Sequence, residues 1–190
     1  CPLCPTGKGE RSRERKIMSF QDFKKILDQF QGYPLQVVLH NWGEPLLAPD
    51  IFQMIAYAQS QKIETKLSTN LLALTEETAG QLISSGLEYL TVSIDGLTQD
   101  TYARYRVAGD LKQALDNLKM LVRKRRELKS AVPLIEWQYL VMRHNEQEMP
   151  KCLWLAEEMG VDVVLFAPVI LDSAIFTGSF DEKAAEEWLP

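Results

Sequence analysis

The chain has 190 residues, 46% of them apolar and 25% charged, with a formal net charge of −5 and three cysteines. This suits one soluble domain with a sizeable core; the acidic balance argues against a nucleic-acid binder, and no apolar run is long enough to span a membrane. Three cysteines do not suggest a disulfide framework and no signal-peptide pattern is visible, so a reducing cytoplasm is the expected compartment.

The chain opens on Cys1-Pro2-Leu3-Cys4. Two thiols do not close a metal site, because a tetrahedral zinc or an iron–sulfur cluster takes three or four ligands. The third cysteine, Cys152, lies far along the chain in a stretch of helical periodicity. Pro5 to Lys16 is polar, with Gly7, Gly9 and the basic residues Lys8, Arg11, Arg13, Arg15 and Lys16. It reads as a loop, either a solvated surface or a cover over a site for an anionic substrate.

Ser19 is placed to cap a helix running to about Phe30, with Phe20, Phe23, Ile26, Leu27 and Phe30 on one face and Gly32 and Pro34 ending it. Leu35 to His40 is a short apolar run, as expected of a strand covered on both faces. A helix over Ile51 to Gln59 leads to a strand over Glu64 to Ser68; Thr75 opens a helix that Gly86 closes, and Tyr89 to Ser93 is the next strand. A helical turn over Asp100 to Tyr105, a long helix from Asp110 to about Leu128 and a strand over Leu134 to Val141 follow. Asn145 with Glu148 resembles a capping box for a helix that Gly160 stops, Val163 to Ala167 is a strand ending at Pro168, and a last helix covers Asp181 to Leu189. Five strands alternating with helices imply a parallel sheet. An eight-stranded barrel typically needs roughly 250 residues, so a doubly wound open sheet and a partial barrel stay open.

In parallel α/β folds the working residues collect at the C-terminal ends of the strands. Gly43-Glu44-Pro45 follows the first strand, Ser68-Thr69-Asn70 ends the second, Ser93-Ile94-Asp95-Gly96 ends the third, and Gln138 lies within the fourth. Each segment alone is also ordinary turn chemistry; together they fall on one rim.

These motifs, with the opening Cys-x-x-Cys, resemble the radical S-adenosylmethionine (radical SAM) enzymes, especially the subgroup related to those with a cysteine-rich C-terminal SPASM extension. The resemblance implies a partial (β/α)6 TIM-like barrel of parallel strands whose first strand, carrying another cysteine four residues before Cys1, is not in this chain. It makes residues 1–190 the core domain, truncated at both ends, and residues 1–18 its cluster-binding loop. Cys1 and Cys4 would be two ligands of a [4Fe–4S] cluster. Gly43, Glu44 and Pro45 would meet the S-adenosylmethionine amino group, with Trp42 standing where the family usually has another glycine. Ser68 and Asn70 would face the cofactor, Ser93 and Asp95 would match positions for its ribose and carboxylate, Arg106 would be a cation for that carboxylate with Arg104 as competitor, and Gln138 would reach in from its strand. Glu44, at a strand end, is expected to matter more for the cofactor than for folding.

The implied activity is reductive cleavage of S-adenosylmethionine to a 5′-deoxyadenosyl radical that abstracts a substrate hydrogen, in peptide, protein or small-molecule modification. The implied partners are an external electron donor and that substrate, with no membrane or nucleic acid. A non-catalytic α/β binding module, or a zinc protein using Cys1 and Cys4, is the alternative. His40 and His144 read as satisfied structural histidines, Cys152 as a buried small hydrophobe, and Arg123-Lys124-Arg125-Arg126 as a solvated helix face.

Overall fold

The computed structural model describes residues 1–8, 16–30, 32–33, 36–169 and 182–190. The basic stretch Arg11, Arg13 and Arg15, together with Pro34, Leu35 and Asp181, lies outside the described residues. The elements in order are α1 (Pro5–Lys8), α2 (Phe20–Leu27, continued by a 3-10 turn to Phe30), β1 (Gln36–Val38), α3 (Ile51–Ser60), β2 (Glu64–Thr69) and α4 (Glu76–Ser84). They continue as β3 (Tyr89–Ser93), α5 (Gln99–Tyr105), α6 (Leu111–Glu127), β4 (Leu134–Val141), α7 (Met149–Met159), β5 (Val163–Pro168) and α8 (Glu182–Trp188). All five strands pair in parallel, in the sequential order β1-β2-β3-β4-β5. No described helix is long and apolar enough to cross a membrane.

The helix ends form where side chains can take up orphan backbone N–H groups. Ser19 Oγ accepts from Asp22 N, Thr75 and Thr78 form a reciprocal capping box, and Asp110 accepts from Gln113 N at the head of α6. Gly160 ends α7 with φ +76°, a left-handed conformation that a side chain would strain.

The pleat gives the sheet two unlike faces. Leu67, Leu90, Val92, Ile135, Trp137 and Tyr139 point to one face and are fully buried with α3, α4, α6 and α7. Each large side chain buried there stabilises by roughly 1.5–3 kcal/mol. The opposite, inner face is polar in its middle and apolar at its flank: the register places Ser68, Thr91, Glu136 and Val163 in one row across β2 to β5, and Ser93, Gln138 and Leu165 in the next.

Three expectations are corrected. β1 is not covered on both faces: Val38 is 51% exposed, because it borders an open cleft rather than a packed layer. Arg125 is not on a solvated face. It follows Leu118, Leu121 and Val122 at spacings of seven, four and three, which turns it inward, where it donates to Pro133 O at 2.6 Å and makes a two-pronged pair with Asp162. Asn145 and Glu148 form no capping box, since neither caps its helix by a side-chain hydrogen bond; both reach instead into the strand-end network described below.

Candidate active site

The loop after β1 is tied to the end of β2 by one carboxylate. Gly43 has φ +109°, so the chain turns there in a conformation open to glycine, and Glu44 caps the 3-10 turn Pro45–Leu47 with Pro45 at its start. Glu44 Oε1 accepts from Leu46 N at 3.1 Å and from Thr69 Oγ1 at 2.8 Å, while Oε2 accepts from Asn70 N at 2.9 Å. Asn70 Oδ1 in turn accepts from Leu72 N at 2.9 Å. Glu44 is therefore a structural tie as well as a ligand candidate.

One strand further, Ser68 Oγ and Ser93 Oγ share a hydrogen bond of 3.3 Å, and Gln138 lies beside Ser93 in register. Asp95 is fully buried. Its Oδ1 accepts from Leu140 N at 2.8 Å, and its Oδ2 accepts from Arg106 Nε at 2.5 Å. The loop around it is pinned by Trp137 Nε1 donating to Ile94 O, Asn145 Nδ2 donating to Asp95 O, and Leu97 N donating to Glu148. Thr101 and Tyr139 hydroxyls also donate to Glu148. Burial opposes the charge on Arg106, but Asp95 more than offsets it and holds the guanidinium pKa above its ordinary value. Arg104 is exposed, so Arg106 is the arginine turned into the rim.

Cys1 and Cys4 lie on one tight turn, closed by Cys4 N donating to Cys1 O at 3.2 Å, and both are half-buried free thiols. Cys1 and Leu3 pack against Tyr105, Met142 and Trp188. Arg106 Nη1 faces Cys1 Sγ at 3.7 Å, which brings the thiol turn to the same rim as Asp95. Cys152 is fully buried on the helix-covered side, and burial, then Glu148 and Asp95, push its thiol up to about 12. Among the described residues no group of three His, Cys, Asp or Glu side chains could hold a metal ion.

The histidines are not fully satisfied, contrary to expectation. His144 Nε2 donates to Thr101 O at 3.2 Å, but Nδ1 of both His40 and His144 is buried with no partner among the described residues. Burial lowers both pKa values. His40 and Glu44 border a cleft of about 720 Å³ that runs along β1 and is otherwise lined largely by apolar side chains, Phe23, Leu27, Val38 and Trp42 among them.

The residues that the sequence does not single out for the site are Thr69, Trp137, Asn145 and Glu148, the last two reading there as a helix cap. Thr69 sat inside a motif already noted. The other three reach the rim through contacts between distant segments, which no local pattern announces.

The chain is similar to several known proteins. The AdoMet-dependent heme synthase of Methanosarcina barkeri (strain Fusaro / DSM 804) is 27% identical over 144 residues, 75% of this chain and 39% of that protein. The mycofactocin maturase MftC of Mycobacterium tuberculosis (strain ATCC 25618 / H37Rv) is 27% identical over 160 residues, 84% of this chain and 39% of that protein. The chain thus spans about two-fifths of these relatives' length. Among solved structures, Streptococcus suis SuiB bound to its precursor peptide SuiA matches with a TM-score of 0.68 over 86% of this chain and 35% of that one, at 14% identity, a likeness of fold. The model of the radical SAM superfamily matches residues 1–136, which cover the thiol turn, the Glu44 loop and the ends of β2 and β3, and the chain belongs to that superfamily.

Proposed function

We propose that this chain is the core of a radical SAM enzyme that cleaves S-adenosylmethionine and modifies a peptide, protein or small molecule. The observation that carries the reading is the convergence of Cys1, Asp95 and Arg106 on the strand-end rim that also holds Glu44 and the Ser68–Ser93 pair.

The donor set fits a [4Fe–4S] cluster in kind. Cys1 and Cys4 are free thiols on one turn, and a guanidinium N–H faces one sulfur, complementing negative charge on it. In number they supply two ligands. When bound, the cluster supplies the electron that cleaves S-adenosylmethionine to a 5′-deoxyadenosyl radical and methionine.

The chain's own residues bind and orient. Gly43, Glu44 and Pro45 form the reception for the cofactor's amino group, with Glu44 retaining its ties to Thr69 and Asn70. Ser68, Asn70, Ser93 and Gln138 offer hydroxyl and amide groups along the inner face. Asp95, with both oxygens engaged, acts through Arg106, fixing the guanidinium that would take a carboxylate. Residues 1–18 serve as the cluster loop of a core covering residues 1–190. A SPASM-type extension is part of this proposal, and the names of the relatives, a heme synthase and a mycofactocin maturase, favour a tetrapyrrole-like small molecule or a peptide as substrate. The enzyme takes its electron from an external donor, and its free thiols suit a reducing cytoplasm.

The test is anaerobic iron–sulfur reconstitution of the full-length polypeptide, followed by an assay for 5′-deoxyadenosine. Formation that requires both reductant and iron is the expected result. Zinc without sulfide, or no nucleoside from an iron-loaded protein, overturns the reading.

A further inference from the structure

Beneath the Ser68–Ser93 rim, on the same inner face, lies an ion pair outside the residues assigned to the cofactor. Lys66, Thr91 and Glu136 each stand two residues before Ser68, Ser93 and Gln138, so the pleat puts them on the same face about 6–7 Å lower along the strands. Thr91 Oγ1 donates to Glu136 Oε1 at 2.9 Å, and Lys66 Nζ stands 3.6 Å from that same oxygen. Glu136 Oε2, Lys66 Nζ and the Gln138 amide make no hydrogen bond among the described residues. Yet the Lys66 and Glu136 side chains are only 32% and 20% exposed.

The contrast with the other pairs is informative. Arg106–Asp95 and Arg125–Asp162 are closed, and their carboxylates also accept a backbone N–H. A pair that served packing alone would close in the same way, because half-satisfied polar groups are costly when partly buried. Apolar side chains flank the open pair. Val38 lies beside Lys66 in register, while Val163 and Leu165, each 39% exposed, lie beside Glu136 and Gln138.

We propose that Lys66 and Glu136 form a recognition site for an amino-acid-like group of the substrate. The group's carboxylate meets Lys66, its ammonium or amide N–H meets Glu136, and its aliphatic side chain lies on Val163 and Leu165. Adjacent opposite charges suit a ligand that carries the complementary charges on neighbouring atoms, whereas a lone anion or cation meets one partner and one repulsion. This inference rests on the proposed function, since it places the substrate beneath the rim assigned to the cofactor.

The experiment titrates L-leucine into the full-length protein and follows methyl resonances of Val38, Val163 and Leu165 by NMR. Parallel titrations use 4-methylpentanoate, which lacks the amine, and 3-methylbutylamine, which lacks the carboxylate. Saturable shifts with leucine, about tenfold or more weakened for each half-ligand and for Lys66→Met, are expected, the factor of one lost charge-assisted hydrogen bond. Glu136→Gln, which keeps an acceptor for Thr91, is the second variant, and thermal melts establish that both are folded. No saturable shift, or equal affinity in wild type and both folded variants, overturns the proposal. Deoxyadenosine formation by the wild type separates the two readings: nucleoside without leucine binding sinks this site alone, and leucine binding without nucleoside sinks the proposed function.

Discussion

Arg106 stands between Asp95 and Cys1, donating through Nε to the buried carboxylate at 2.5 Å while Nη1 faces the sulfur at 3.7 Å. One side chain thereby links the loop after β3 to the thiol turn. Replacing it with methionine leaves Asp95 buried with Leu140 N as its remaining partner. The expected cost is about 3 kcal/mol, measured by urea unfolding, because removing one member of a buried pair strands the other. Arg106→Lys, which keeps the charge but not the fork, should recover part of it. An unchanged midpoint in Arg106→Met would show that the pair contributes little.

Glu44 joins two loops through three accepted hydrogen bonds. Glu44→Ala should therefore lower stability by about 1–3 kcal/mol as well as weaken S-adenosylmethionine binding. Glu44→Gln keeps an acceptor oxygen and should lose affinity with a smaller loss of stability. Equilibrium dialysis with the cofactor, set beside chemical unfolding, separates the two effects; equal stability in wild type and Glu44→Ala contradicts the tie.

Arg125 and Asp162 fasten α6 to the start of β5, and Asp162 also accepts from Ile135 N at 2.8 Å. Burial pushes the Asp162 carboxyl up, but Arg125 and the Ile135 amide outweigh it, so its folded pKa lies below the ordinary carboxylate value. The stability it contributes is present above the unfolded pKa of about 3.9 and is lost as pH falls through the folded value. The difference in unfolding free energy between wild type and Asp162→Asn should be constant from about pH 7 to 5 and shrink below about 4. A difference that grows with acidification would contradict the pairing.

The three thiols differ in access. Cys1 and Cys4 are half-exposed, whereas Cys152 is buried with its thiol pushed up to about 12. Iodoacetamide at mildly alkaline pH should alkylate Cys1 and Cys4 of the metal-free folded protein and spare Cys152 until denaturant is added, as read by peptide mass spectrometry. Labelling of Cys152 at the same rate would contradict its burial.

Much of this was legible in the residues. β3 and β4 begin and end where apolar content and turn residues place them, at Tyr89–Ser93 and Leu134–Val141, and the helix caps at Ser19, Thr75 and Asp110 follow side-chain chemistry local to the chain. Glu44, Asn70 and Asp95 do stand in the loops just past strand ends, and Arg106, at the end of α5, reaches Asp95 from there. What was not legible depends on contacts across the sequence. Arg125 sits in a basic run whose composition suggests solvent, and only the phase of α6 against its buried leucines turns it inward. Asn145 and Glu148 match a capping pattern, but the buried Asp95 loop offers Asn145 Nδ2 a carbonyl and Glu148 the Leu97 amide, so both side chains are drawn there. The Lys66–Glu136 pair requires the register of three strands, and strand alternation alone does not set register.

The central claim is that Cys1 and Cys4 supply two of the ligands of a cluster that works on S-adenosylmethionine bound at the adjoining rim. Electron paramagnetic resonance of the reconstituted, reduced full-length protein, recorded with and without S-adenosylmethionine, tests it most directly. The account predicts a reduced [4Fe–4S] signal that changes when S-adenosylmethionine is added and is lost in Cys1→Ala and Cys4→Ala. A cluster signal indifferent to S-adenosylmethionine, or one retained in both cysteine variants, would contradict it.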